Sequence, residues 1–385
     1  MSINPVLLTQ DLIRCPSVTP IEGGALDLLQ STLEGLGFTC SRLPFSEEGT
    51  PDVDNLYARY GESQPNLCFA GHTDVVPVGE GAQWKYGPFE GCIDNGYLYG
   101  RGAVDMKGAI ACWVSAISQL FATGWRPKGS LSFLITGDEE GPSINGTQKM
   151  LETLYQAGER WDACITGEPT NPKVLGDMIK IGRRGCMDVH LTVQGIQGHT
   201  GYPHLADNAA HRLVTMLQGL LDWTIDTGTE YFQPSTLAVS TIDIGNPATN
   251  IIPDRASASI NLRYSDEHTG LSLEKDIKER LLKINGSAEM FEMKTFVAGD
   301  AFLTLPGSLT DIVKVACFNH NQKSPELSTT GGTSDSRFIK NYCPVVDFGL
   351  ISQTMHQVDE CVGVNDIEGL TKIYRGIIEL YFQEN

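Results

Sequence analysis

Acids and histidines stand directly after short apolar runs in this chain. His72 and Asp74 follow the run at 66 to 70, Asp138, Glu139 and Glu140 follow 131 to 136, and Glu168 follows 161 to 166. In an open α/β sheet the loops at the carboxyl ends of strands converge on one ligand crevice. Carboxylates crowded there, on a chain of net charge −19, would raise one another's pKa values unless cations lie among them. A metal centre resolves that conflict. Histidine with carboxylates and no thiolate suits zinc or a similar divalent ion in a catalytic site that keeps a position open for water. With one bridging carboxylate, two ions roughly 3.5–4 Å apart share such a site.

Each fragment alone has an ordinary structural role. A His-x-Asp after a strand makes a turn, Asp105 before a helix reads as an N-cap, Asp138-Glu139-Glu140 as a solvated loop, and Glu168 before Pro169 as a turn. Their common placement at equivalent strand ends favours the metal. The tract TTGGTSDSRF (329 to 338) offers consecutive backbone N–H groups before an expected helix, a candidate anion nest. Arg183, Arg184 and Arg263 are candidate carboxylate clamps, with solvated surface as the alternative. GRGAVD (100 to 105) starts like a dinucleotide fingerprint, but Asp105 stands where the third glycine belongs; the P-loop, H-E-x-x-H and G-x-S-x-G patterns do not occur.

The elements that must position these residues read as two styles. Helical spacing over Leu7 to Ile13 and Leu26 to Leu36, the three apolar strands, and helices over 106 to 122 and 145 to 157 form a parallel α/β pattern. From about residue 185 the strands lengthen and alternate (MDVHLTV, STLAVSTIDI, RASASINLRY), with helices near 206 to 221 and 269 to 283, an α+β texture. After about residue 299 the first style returns, with a helix near 307 to 318, a strand at 344 to 349 and a closing helix over 366 to 381. The expected fold is therefore α/β: a catalytic domain of residues 1–184 and 299–385 with a mostly parallel central sheet flanked by helices, interrupted by a smaller α+β domain at 185–298.

Composition narrows the partners. The acidic balance argues against nucleic acid and anionic membrane, so an anionic substrate needs a local Arg or Lys cluster. Ten scattered cysteines without a C-x-x-C pair read as buried apolar residues. The N-terminus lacks a basic start and a long apolar run, and Gly108 to Trp125 reads as a buried helix instead of a membrane span, so a cytoplasmic protein is expected.

The motifs GHTDVVPVG (71 to 79), YGRGAVDMKG (99 to 108), ITGDEEG (135 to 141), TGEPT (166 to 170), IKIGRRG (179 to 185), QGHTGYPHLADN (197 to 208), STTGGTSDSRF (328 to 338) and TMHQVDE (354 to 360) span nearly the whole chain in order. Together they closely resemble the di-zinc aminoacylase/carboxypeptidase superfamily. GRRG, YPHLADN and GGTSD favour its members that release succinate from N-succinyl-LL-2,6-diaminopimelate, in lysine and diaminopimelate synthesis. The resemblance implies two divalent ions, zinc first and cobalt as an alternative. His72 and Glu168 would bind one, Glu140 and His356 the other, and Asp105 would bridge them. His356 enters only through the resemblance. Asp74 would hold the His72 ring in its binding tautomer, and Glu139 would be the general base.

The resemblance further implies a homodimer in which the second domain is lid and dimerisation surface. His199 would stabilise the oxyanion in the partner's site, with Asn250 contacting substrate from the same side. Arg183, Tyr202, Arg263 and the backbone at Gly332 and Thr333 would hold the carboxylates of a small N-succinyl amino acid. Cys186 follows GRRG where serine is common, and Ser352 precedes His356 by four residues where many relatives have asparagine. Both positions bear on substrate contacts. The alternatives are the same chemistry on N-acetylornithine or a dipeptide, or a non-catalytic metal-binding protein that keeps the fold.

Overall fold

In the computed structural model, which describes residues 2–80 and 83–384, the three apolar runs become neighbouring strands of one sheet. Asn66–His72, Ser130–Thr136 and Ala163–Thr166 are buried along their whole length, as continuous apolar runs require when both sheet faces are covered. Asn66–His72 pairs in parallel with both others, setting His72 level with Thr136 and Ala70 level with Thr166. The residues that follow these strands therefore emerge along one sheet edge.

Eight strands make this sheet, in the order Thr39–Arg42, Leu56–Tyr60, Ser130–Thr136, Asn66–His72, Ala163–Thr166, Val345–Asp347, Met178–Lys180, Glu326–Ser328. The first two add antiparallel, and Val345–Asp347 meets Met178–Lys180 antiparallel at a single residue pair. Helix Lys107–Ala122, almost entirely buried, packs against Pro5–Ile13 and Val364–Glu384. Trp113 on it stacks on Phe69 at 4.9 Å between ring centres and meets Tyr374 edge-on at 5.0 Å, locking helices to sheet. Among the described residues no helix is long and apolar enough to cross a membrane.

The chain divides into two compact units. The first takes residues up to Ile181, Thr304–Ser328 and Ser334 onward; the second takes Gly182–Leu303 and Thr329–Thr333. The limits read off the texture differ by a few residues at both crossings, and that reading leaves 329–333 in the first domain. The short strands Gly182–Arg183 and Phe302–Leu303 pair antiparallel and close the second unit on itself, and Arg183 donates to the Gly332 carbonyl at 3.1 Å, holding 329–333 there.

The second unit is an antiparallel sheet in the order Thr236–Asp243, Arg255–Tyr264, Gly185–Gln194, Phe291–Gly299, with helices Ala209–Leu221 and Gly270–Asn285 packed on it. Val189, Leu191, Leu213, Leu217, Ile260 and Ile277 lie in its core. Asn208 caps the first helix by accepting from the Ala210 and His211 N–H groups, and Thr269 caps the second by accepting from Ser272 N–H.

Candidate metal centre

His72 is the last residue of its strand and is buried. Its Nδ1 lies 2.9 Å from the Asp74 carbonyl oxygen, which can only accept, so Nδ1 carries a proton. Nε2 then faces Asp105 Oδ1 at 3.2 Å and Glu168 Oε1 at 3.8 Å. The Asp74 side chain was expected to hold this ring; its Oδ1 stands 3.6 Å away. Its two oxygens accept instead from the Glu139 and Glu140 N–H groups at 3.2 and 3.0 Å. The main chain of Asp74 thus orients the imidazole while its side chain orients the acidic loop.

Asp105 does not cap a helix. Helix Lys107–Ala122 starts two residues later, with Met106 in the capping position and no side-chain cap. The carboxylate is used elsewhere: Oδ1 faces His72, and Oδ2 faces His356 Nε2 at 3.2 Å. His356 Nε2 also lies 2.9 Å from Glu140 Oε1. One carboxylate therefore stands between two imidazoles, each with a second carboxylate beside it.

Ligand atoms of His72, Asp105 and Glu140 lie within 4.8 Å of one another, as do those of His72, Glu139 and Glu168. All are nitrogen or carboxylate oxygen, the donor set of a divalent ion of zinc type. Glu139 stands inside the second cluster, close to the ligands and not apart from them. The donor set of these residues fits a divalent metal ion.

Electrostatics agree. Burial disfavours a charge on Asp105, but its bonds to His356 and His72 hold its carboxyl well below the usual range. Burial opposes a charge on His72, yet Asp105, Glu139 and Glu168 keep it well above the ordinary imidazole value. Asp105 and Glu140 raise His356 to about 10. Burial, reinforced by Glu168, pushes Glu139 well above the carboxylate range. The surrounding carboxylates thereby bias both imidazoles toward their protonated forms.

A divalent ion needs neutral imidazole, so its uptake displaces those protons. Metal binding to the stripped protein at pH 7 is expected to release protons and to tighten by about tenfold per pH unit for each proton released. The sign for stability is the reverse. His356 is raised in the folded chain, so its ion pairs stabilise the metal-free protein fully below about 6.5 and are lost as pH rises through about 10. Calorimetric metal titration in buffers of different protonation enthalpy checks this; a binding enthalpy independent of buffer would contradict it.

The remaining candidates lie on the second unit. His199, in the short strand Gly198–His199, pairs with Ile251, and Thr200 N–H donates to the Asn250 carbonyl at 3.1 Å, so His199 and Asn250 are neighbours. Both are exposed. Gly201 N–H donates to His199 Nδ1 at 2.9 Å, so the neutral ring presents an Nε2–H donor. The Tyr202 ring centre is 5.7 Å from that of His199.

Arg263 stands opposite Cys186 across the sheet, and its Nε donates to Asn261 Oδ1 at 3.1 Å. Arg184, depressed by burial and by the Arg263 charge, has a buried Nε–H without an acceptor. These two cations concentrate positive charge locally, whereas Arg183 is buried and spans to Gly332. Gly331 adopts φ +104°, and a Cβ there would come within 3.0 Å of Arg183 Nη1, so glycine permits that approach. The helix expected after the tract at 329–338 is only Ser336–Ile339, too short for an anion site of its own; Gly332 and the partly exposed Thr333 present backbone at the surface. Cys186 is buried, with its sulfur accepting from Asn261, and Ser352 donates to the Asn171 carbonyl.

Fold and site define a metal-dependent hydrolase built on an α/β sheet with an inserted α+β unit. The chain belongs to peptidase family M20/M25/M40, whose model matches residues 68–380. It is 56% identical over 382 residues to the succinyl-diaminopimelate desuccinylase of Rhodospirillum centenum, covering 99% of this chain and 98% of that one. It is 54% identical to the protein of the same name from Parvibaculum lavamentivorans, covering 98% and 96%. Its fold matches an M20 family metallo-carboxypeptidase of Sulfolobus solfataricus with TM-score 0.81, 19% identity and 99% of each chain covered. A dinuclear metal binding peptidase of the M20 family from Bacillus subtilis matches with TM-score 0.73, 14% identity and 98% of each covered.

Proposed function

We propose that the chain hydrolyses the amide of N-succinyl-LL-2,6-diaminopimelate to succinate and LL-2,6-diaminopimelate, a step of diaminopimelate and lysine synthesis. The observation that carries this reading is identity above one half, over essentially the full length, to relatives of that name.

His72, Asp105, Glu140, Glu168 and His356 would hold two divalent ions, which when bound would polarise the amide carbonyl and acidify water toward a pKa of ~7. Glu139, beside His72 and Glu168, accepts the water's proton and returns it to the departing amine. Arg263, Arg183, Tyr202, Asn250 and the backbone at Gly332 and Thr333 bind the substrate's carboxylates and amide. His199 donates Nε2–H to the developing oxyanion in the site of a second subunit, so the working form is a homodimer whose second unit is both lid and dimer surface. Zinc is the proposed resident metal, with cobalt able to replace it, and the cytoplasm the proposed compartment.

Turnover of N-succinyl-LL-2,6-diaminopimelate against N-acetylornithine tests the substrate. The succinyl compound is expected to be cleaved at least ~10²-fold more efficiently, since its succinyl carboxylate offers the arginines a charge-assisted partner that an acetyl group lacks. Faster cleavage of acetylornithine would overturn the reading.

A further inference from the structure

The two halves of the metal centre are anchored in unlike ways. His72 ends a wholly buried central strand. His356 rides on a loop, half exposed, with a left-handed backbone (φ 61°). What fastens this loop to the turn that carries Asp105 is Glu360, which is completely buried. Its Oε1 accepts from the Val104 and Asp105 N–H groups at 2.9 and 3.2 Å, and its Oε2 accepts from Arg101 Nη1 at 2.8 Å. The same Nη1 donates to the carbonyl of Gln357, next to His356, at 3.1 Å. Gly100 N–H donates to the Glu360 carbonyl at 2.9 Å, and the guanidinium lies over the Trp84 ring at 5.1 Å.

A buried ion pair is a poor device for stability alone, because desolvation offsets most of its attraction. This one joins the backbone of one candidate ligand to the loop of another. We infer that Arg101 and Glu360 form a positioning clamp that sets His356 against Asp105, and so governs the ion held by His356 and Glu140 more than the ion held by His72 and Glu168. The inference rests on the two-ion reading above.

The test is a cobalt(II) titration of the metal-free full-length protein, followed by visible absorption and equilibrium dialysis. The unaltered chain is expected to take up two equivalents. Glu360→Gln keeps the shape and the acceptor for both N–H groups while removing the charge. It should weaken one equivalent by about 10–100-fold, the usual effect of losing a ligand's supporting partner, and leave the other within about twofold. The weakened equivalent should be the one lost in His356→Ala. Arg101→Lys keeps the charge but loses the fork that also reaches Gln357, and should act in the same direction; it decides alone if Glu360→Gln does not fold.

Wild-type binding of both equivalents in the folded variants, or equal weakening of both, would overturn the clamp. Uptake of a single equivalent by the unaltered chain would overturn the two-ion reading, and the clamp with it.

Discussion

Replacing Glu139 with alanine is expected to remove hydrolysis while two metal ions stay bound. A positioned general base is worth about 10²–10⁴ in rate, so kcat should fall by that factor. The surrounding geometry survives because the Glu139 N–H, not its side chain, bonds to Asp74, and the Glu140 N–H bonds there independently. Metal content by elemental analysis and kcat on the same sample provide the check. Unchanged turnover would remove Glu139 from the base role. Loss of an ion would show that its place beside His72 and Glu168 makes it a ligand.

His199→Ala is expected to lower kcat by about 10²–10³, the effect of deleting one oxyanion donor. The ring is preset for that task, since the Gly201 N–H occupies Nδ1 and leaves the Nε2–H pointing outward. If the donor acts across a dimer, His199→Ala subunits mixed with Glu139→Ala subunits regain activity, because each mixed dimer holds one site with an intact base and an intact partner histidine. Counting sites after random exchange in a two-fold dimer gives about a quarter of wild-type activity. No recovery, with exchange confirmed by mass, would place the histidine's action within its own subunit or outside catalysis.

Much of this centre is legible in the chain because strands announce themselves by apolar runs, and the residues after a parallel strand end share an edge. His72, Glu139, Glu140 and Glu168 all come from that one pattern. His356 does not, since it lies on a loop that Arg101, far earlier in the chain, bonds through Gln357 and Glu360. Asp105 reads locally as a helix cap, but two imidazoles claim its carboxylate; local propensity yields to a tertiary demand.

The fold divides in the same way. Helices Ala209–Leu221 and Gly270–Asn285 fall close to their expected ranges because capping and apolar spacing coincide there. The strands Met178–Lys180 and Glu326–Ser328 are too short to show a period. Phe291–Gly299 is an edge strand with exposed charged residues, so no apolar run marks it. The hairpin joining Cys92–Asp94 to Tyr97–Tyr99 had a readable signal in Asn95-Gly96, both at positive φ, the usual two-residue hairpin turn.

Asp74 divides its labour between main chain and side chain, and this binds together two properties an engineer would wish to tune separately. Its carbonyl fixes which nitrogen of His72 keeps a hydrogen, and its carboxylate fixes the pitch of the Glu139-Glu140 dipeptide. The His72 tautomer and the pitch of the acidic loop are thereby geared through one short segment, and a redesign of either has to begin by rebuilding that hinge pin for both.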